Sequence, residues 1–246
     1  MLPPVAAYLM EFQRSPYHRI RLGFGHAYLV RSQRNWILVD AGSARQEKAF
    51  IRHLAQQKIS AQEIKLIVIT HVHFDHVGSL KAIKALCGCP VAVHEKEGQL
   101  LSKGIVAIPP GTNLFGKTAS CLGKLMKPFF RFSAVEPEVI ISEDFSLEPY
   151  GIPGSIIPTE GHTEGSLSVL LSSGEAFVGD LAANHLPFEL GPILPPFAAS
   201  VPELLRSWEK LLSFGPTIIC PGHGKPFRAD LLARRLRQEA RAAVKS

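Results

Sequence analysis

Residues 70–78 read THVHFDHVG, which sets His71, His73, Asp75 and His76 within six positions of one another. Upstream stands IKLIVIT (64–70), a run too uniformly apolar for a strand with one wet face, so a strand buried on both sides is predicted. Downstream, GSLKAIKALCG (78–88) has the spacing of a helix that stops at Gly88. The polar cluster therefore falls at the C-terminal edge of a core strand, on the way into a helix.

Four ionisable groups at a strand end add nothing to packing, and taking them out of water costs several kcal/mol unless something binds them. Positions two apart share a face on extended chain but not on a helix, so His71 and His73 converge only if their segment is extended or looped. Asp75 and His76 turn toward a second point if the chain bends between the pairs. Such a loop suits two metal ions. Histidine with carboxylate suits Zn²⁺ and also Fe²⁺ or Mn²⁺, and each ion needs more ligands than this loop supplies. Three later places qualify: His162 in TEGHTEGS, Asp180 in FVGDLA and His223 in ICPGHGK. In each, an apolar strand candidate ends in a glycine-flanked polar residue, where the small neighbour admits close backbone approach. His18, His26, His53 and His94 are read as solvated or hydrogen-bonded side chains without a ligand role.

Working outward, HAYLVRS (26–32) and NWILVDAG (35–42) predict a hairpin, and ARQEKAFIRHLAQQ (44–57) a helix. PVAVHE (90–95) is the next strand, followed by a less regular region over about 99–138 that includes the basic and aromatic GKLMKPFFRF. Short strands are predicted at EVIIS, GSIIPTE, SLSVLLS and EAFVGD, then a Pro-rich loop, the helix VPELLRSWEKLLSFG, the strand TIICPG and a final helix over about 229–245. Helices interspersed among more numerous strands argue an α/β architecture with sheets inside. No composition break or internal repeat divides the sequence, so one domain over 1–246 is expected.

The 246 residues carry 27 basic and 21 acidic side chains, a formal net charge of +6. Much of the excess lies between Lys225 and Ser246, so it belongs to one terminal element and does not predict a nucleic-acid surface over the body. No apolar segment reaches the length of a membrane span, and MLPPVAAYLMEFQRSP lacks the pattern of a signal peptide, so a cytoplasmic location is expected. Cys87, Cys89, Cys121 and Cys220 are too few for a disulfide framework and are read as ordinary thiols.

The ordered set resembles the metallo-beta-lactamase superfamily of hydrolases. Its hallmark H-x-H-x-D-H stands here as His71, His73, Asp75 and His76. His162 follows in G-H-T-x-G-S, Asp180 in G-D after a strand, and His223 in P-G-H-G. The likeness runs from about His26 to Pro226. It implies a four-layer αββα sandwich with the metals at one edge of the two sheets. It further implies that His71, His73 and His162 hold one divalent ion, that Asp75, His76 and His223 hold the other, and that Asp180 bridges them. Zinc is the expected metal, with iron or manganese as alternatives. A bridging hydroxide would attack a small carbonyl substrate, a thioester, lactone or ester. Asp75 and Asp180 are the catalytic carboxylates on this reading, and His185, in the loop after Asp180, is the one further catalytic candidate. Asp40, in LVDAG, corresponds to a family aspartate near the site and orients a ligand histidine or caps a turn. The same dinuclear site would also serve a phosphodiesterase or nuclease, or survive in a binding protein without turnover. A small-molecule substrate is the expected partner, nucleic acid is not, and a homo-oligomer stays open.

Overall fold

The apolar stretch at 64–69 is buried on both faces, and the rest of the fold is arranged around that fact. A computed structural model describes residues 16–32, 35–125, 131–184 and 192–243. Strands β1 (Tyr17–Leu22), β2 (Gly25–Arg31), β3 (Trp36–Val39), β4 (Ile64–Val68), β5 (Val91–His94) and β6 (Val139–Ile141) form a six-stranded sheet in chain order. The first three pair antiparallel and the pairs from β3 to β6 are parallel. A second six-stranded sheet contains β7 (Phe145–Ser146), β8 (Gly154–Pro158), β9 (Leu167–Leu171), β10 (Glu175–Gly179), β13 (Ile218–Pro221) and β14 (Phe227–Arg228). Its order is β14-β13-β10-β9-β8-β7, with only β10 and β13 parallel. β11 (Ala183–Asn184) and β12 (Pro192–Ile193) make a small ribbon beside it.

Alternation along each strand sorts side chains into layers. Ile37 and Val39 of β3, with Leu66 and Val68 of β4, face Val169, Phe177 and Cys220 of the second sheet and build the core between the sheets. Leu38, Ile67 and Ile69 point the other way, against Phe50 and Leu54 of α1 (Glu47–Gln57) and Leu80 and Ile83 of α3 (Leu80–Cys87). On the outer face of the second sheet, Ile157, Val178 and Ile219 meet Leu204, Trp208 and Leu211 of α6 (Val201–Ser213) and Leu232 of α7 (Ala229–Ala243). The result is helix, sheet, sheet, helix. Strands with two covered faces lose the polar alternation of surface strands, which is why β4 reads as a nearly continuous apolar run broken only by the exposed Lys65.

The hairpin of β2 and β3, the helix ending at left-handed Gly88 and the strands at 139–141, 154–158, 167–171 and 175–179 lie where the sequence predicts them. Other elements differ, β1 and two helices foremost. β1 was not anticipated, because YHRIRL carries three basic or imidazole side chains on an edge strand and shows little apolar content. The expected irregular stretch at 99–138 contains most of α4 (Glu95–Lys103) and all of α5 (Leu114–Leu125). Gly98 inside α4, and Gly116 and Gly123 inside α5, lower helix propensity and interrupt the periodicity by which a helix is recognised. Phe132 and Ile108 of this stretch pack into the core outside the first sheet. Among the described residues no helix is long and apolar enough to cross a membrane.

Candidate metal centre

Four chain segments deliver the predicted ligands to one edge of the sandwich. β4 ends at Val68; Thr70 to His73 lie outside any strand, with the His73 amide turned back onto the His71 carbonyl at 3.2 Å, and His73 begins the short helix α2 (Phe74–Val77), which holds Asp75 and His76 in its single turn. The change from this looped segment to helix is what sends the two pairs in different directions. His162 lies in the turn between β8 and β9, Asp180 directly follows β10, and His223 follows β13. Because β10 and β13 run parallel as neighbours, their ends bring Asp180 and His223 to the same rim.

The ligand atoms fall into two groups, His71, His73, His162 and Asp180 in one and Asp75, His76 and His223 in the other. In the first, His73 Nδ1 lies 3.0 Å from His71 Nε2 and 3.1 Å from His162 Nε2. The partners of the far ring nitrogens decide what those nearer atoms carry. His162 Nδ1 is 2.8 Å from the carbonyl of Phe197 and must donate to it, so Nε2 is an unprotonated lone pair. Thr70 Oγ1 gives its one hydrogen to the Asp40 carboxylate, so at 3.1 Å it accepts from His71 Nδ1, and His71 Nε2 is likewise a lone pair. Two lone pairs thus face His73 Nδ1, whose single hydrogen in a neutral ring has to be shared between them, an arrangement that a cation would satisfy more fully.

In the second group, His223 Nε2 lies 3.2 Å from Asp75 Oδ2 and 3.5 Å from Asp180 Oδ2. His76 Nδ1 sits 2.8 Å from Asp40 Oδ2, which turns its Nε2 toward Asp180 Oδ1 at 3.3 Å. Asp180 Oδ2 is also 3.6 Å from His162 Nε2, so this carboxylate stands between the groups. His73 Nε2, His76 Nε2 and Asp180 Oδ1 are buried without a hydrogen-bond partner. Orphaned polar atoms in such a cluster cost stability unless a bound ion satisfies them, so the donor set fits divalent metal.

The electrostatics divide along the same line. Burial, reinforced by neighbouring imidazoles, holds His71 well below the usual histidine range, brings His73 down to about 3 and lowers His162, so these rings are neutral. The Asp180 carboxylate lifts His223 to about 10 against the opposing effect of burial. Burial also works against charge on His76, but Asp40 and Asp180 outweigh it and hold that ring well above its ordinary value. Burial by itself would raise the two aspartates; His223 and His76 reverse this and place Asp180 well below, and Asp75 below, the carboxylate norm.

Gly222 is required by this crowding. A Cβ there would stand 2.6 Å from His76 Cε1 and 2.7 Å from Asp180 Oδ1. Tyr28 Oη donates to the carbonyl of Pro221 at 2.7 Å and secures the same turn from beneath. Sequence reasoning missed Tyr28, which reads there as an ordinary aromatic strand residue. It also missed Glu97, a buried carboxylate of α4 that accepts from the Val72 amide at 2.9 Å. The pattern H-E-K-E in a polar helix start gives no hint that the second glutamate is interior. Asp40, left between two roles by the sequence, bonds the His76 ring directly and reaches that of His71 through Thr70. His185 lies outside the described residues. His94 caps α4 by accepting from the Lys96 amide, and His26 bonds the carbonyl of Gly222, both without joining either ligand group. Thr163 and Ser166 bond each other and close the turn around His162.

Comparison with known proteins gives a consistent result. The model of the metallo-beta-lactamase superfamily matches residues 20–223. The chain is 27% identical over 242 residues to the "Probable metallo-hydrolase YflN" of Bacillus subtilis, covering 89% of this chain and 90% of that protein. Among solved structures, the B3 metallo-beta-lactamase BLEG-1 superposes with a TM-score of 0.66 at 21% identity, covering 87% of this chain and 95% of that one. TTHA1623, solved in a di-iron-bound form, superposes with a TM-score of 0.64 at 22% identity, covering 88% and 97%. At these identities the two structures speak for the fold.

Proposed function

The chain belongs to the metallo-beta-lactamase superfamily, and from that premise we propose that it is a hydrolase whose two ligand groups hold two divalent ions, zinc foremost, to cleave a small thioester, lactone or ester. The observation that carries this reading is the position of Asp180, with one oxygen 3.3 Å from His76 Nε2 and the other within 3.6 Å of both His162 and His223. A carboxylate so placed can serve both ions at once. Bound divalent cations would supply Lewis acidity, lowering the pKa of water toward neutrality and polarising a carbonyl oxygen.

The chain's own residues then have separable tasks. Asp40 and Thr70 fix the rings of His76 and His71, and the Phe197 carbonyl fixes His162, so ligand nitrogens are presented without reorganisation. Five neutral histidines and two carboxylates under-neutralise two doubly charged ions, which favours an anionic transition state. His71, His76 and His162 are almost fully enclosed, whereas the His223 side chain is 28% exposed. Substrate therefore reaches the site from the side of His223, Asp75 and Asp180, and Asp75, the carboxylate not shared between the two groups, is the one able to take up a proton released there.

The test couples elemental analysis of unsupplemented protein to turnover on a panel of thioesters, lactones and aryl esters with each metal restored. The proposal expects metal-dependent hydrolysis of at least one carbonyl class. Metal-dependent cleavage of bis-p-nitrophenyl phosphate with no carbonyl esterase activity would replace it with phosphodiester chemistry.

A further inference from the structure

Glu97 is only 2% exposed, yet among the described residues it forms no ion pair. A carboxylate buried without a cation is costly unless donors address it. The Val72 amide donates to Oε2 at 2.9 Å; the Thr163 side chain and the Gly165 backbone also favour the charged carboxylate, yet burial outweighs all three and holds it above the ordinary glutamate value. The donors come from two loops distant in sequence. Val72 is the residue between His71 and His73, while Thr163 and Gly165 follow His162.

We infer that Glu97 is a positioning residue that fastens the His71/His73 loop to the His162 loop and thereby sets the distances among the three nitrogens of the first ligand group. The inference rests on the metal-site reading above. Val72 is held from two sides, its amide on Glu97 and its fully buried side chain in the core outside the first sheet, which leaves the flanking histidines turned toward the site. Across the clamp, a Cβ at Gly165 would lie 2.5 Å from Glu97 Cγ, so the His162 turn closes onto the carboxylate stem because residue 165 has no side chain. The Ser166 hydroxyl, 2.9 Å from that of Thr163, can donate to it and so free the Thr163 hydrogen for Glu97. Glu97 itself touches neither substrate nor ion. It stands at the third position of α4, whose first turn is fixed by the His94 cap, so the clamp is anchored on a helix.

Glu97→Gln and Glu97→Ala are compared with wild type by chelator competition and by amide hydrogen exchange of the metal-free protein. Glu97→Ala is expected to lower metal affinity by about tenfold to a hundredfold, the usual range for groups that orient ligands, and to speed exchange at Val72 and Gly165. Glu97→Gln, which keeps one acceptor oxygen in place, is expected to fall between, and it carries the test alone if the alanine variant does not fold. Wild-type affinity together with unchanged exchange at both amides overturns the clamp, as does a lowered unfolding temperature accompanied by wild-type affinity. The exchange comparison uses metal-free protein, so failure of the wild type to load metal would sink the functional reading and still leave the clamp to be judged.

Discussion

Asp40 has both oxygens within 3.0 Å of the Thr70 hydroxyl, and one of them takes the Nδ1 proton of His76. Through Thr70 it also governs His71, so one carboxylate orients a ring in each ligand group. It does so from a left-handed backbone conformation, φ 62°, which aspartate tolerates better than most side chains. Asp40→Ala is expected to weaken metal binding by about tenfold to a hundredfold, read by chelator competition; unchanged affinity would remove Asp40 from the site. The protons of the metal-free cluster give a second prediction. His223 is raised to about 10 and His76 stands well above its ordinary value, so both are protonated at neutral pH and must lose those protons to act as ligands. Metal affinity should therefore rise with pH from 7 toward 10, with one to two protons released per protein. Calorimetry at neutral pH in buffers of different ionisation enthalpy measures this, and zero release would contradict the assignment of these two histidines.

At the scale of elements, strand ends do the positioning and helices hold the strand ends. Gly222, at the end of β13, tests the first half of that statement. Gly222→Ala pushes a methyl group into His76 and Asp180 and is expected to reduce metal content while leaving a folded protein, seen as unchanged far-ultraviolet circular dichroism. Leu204 of α6 tests the second half, since it is fully buried and packs directly on Gly161, next to His162. Leu204→Ala should cost about 2–5 kcal/mol in denaturant unfolding; a loss well under 1 kcal/mol would mean that α6 does not brace the second sheet. Elements were legible in the sequence in proportion to how their burial shows as periodicity. β4 and α3 declare themselves, with one apolar at every position but Lys65 and the other on a single stripe. β1 does not, because as an edge strand bearing His18, Arg19 and Arg21 it buries only Ile20 and Leu22. α4 hides for a related reason, as its buried positions are Glu97, Gly98 and Leu101, two of which no hydrophobic pattern would select.

For the whole molecule, the clustering of the candidate ligands was legible because their identities and order follow a chemical pattern, whereas the groups that support them were not. Tyr28, Glu97 and Thr70 bond Pro221, Val72 and Asp40 across segments far apart in sequence, and such partners become visible only when the chain is folded. Charge is distributed with similar independence from the site. The basic helix α7 packs Leu232 inward and Leu231 and Leu236 partly so, and leaves Arg237, Ala240 and Arg241 exposed. Replacing both arginines by glutamine should leave metal content and turnover at wild-type levels; a fall in turnover with metal retained would place substrate on that helix. The most direct test of the account is the metal stoichiometry of protein purified without supplementation, beside Asp180→Ala prepared identically. Two equivalents in the wild type and a loss from both groups in the variant are predicted. Less than one equivalent in the wild type, or equal content in the two proteins, would contradict a carboxylate shared between two ions.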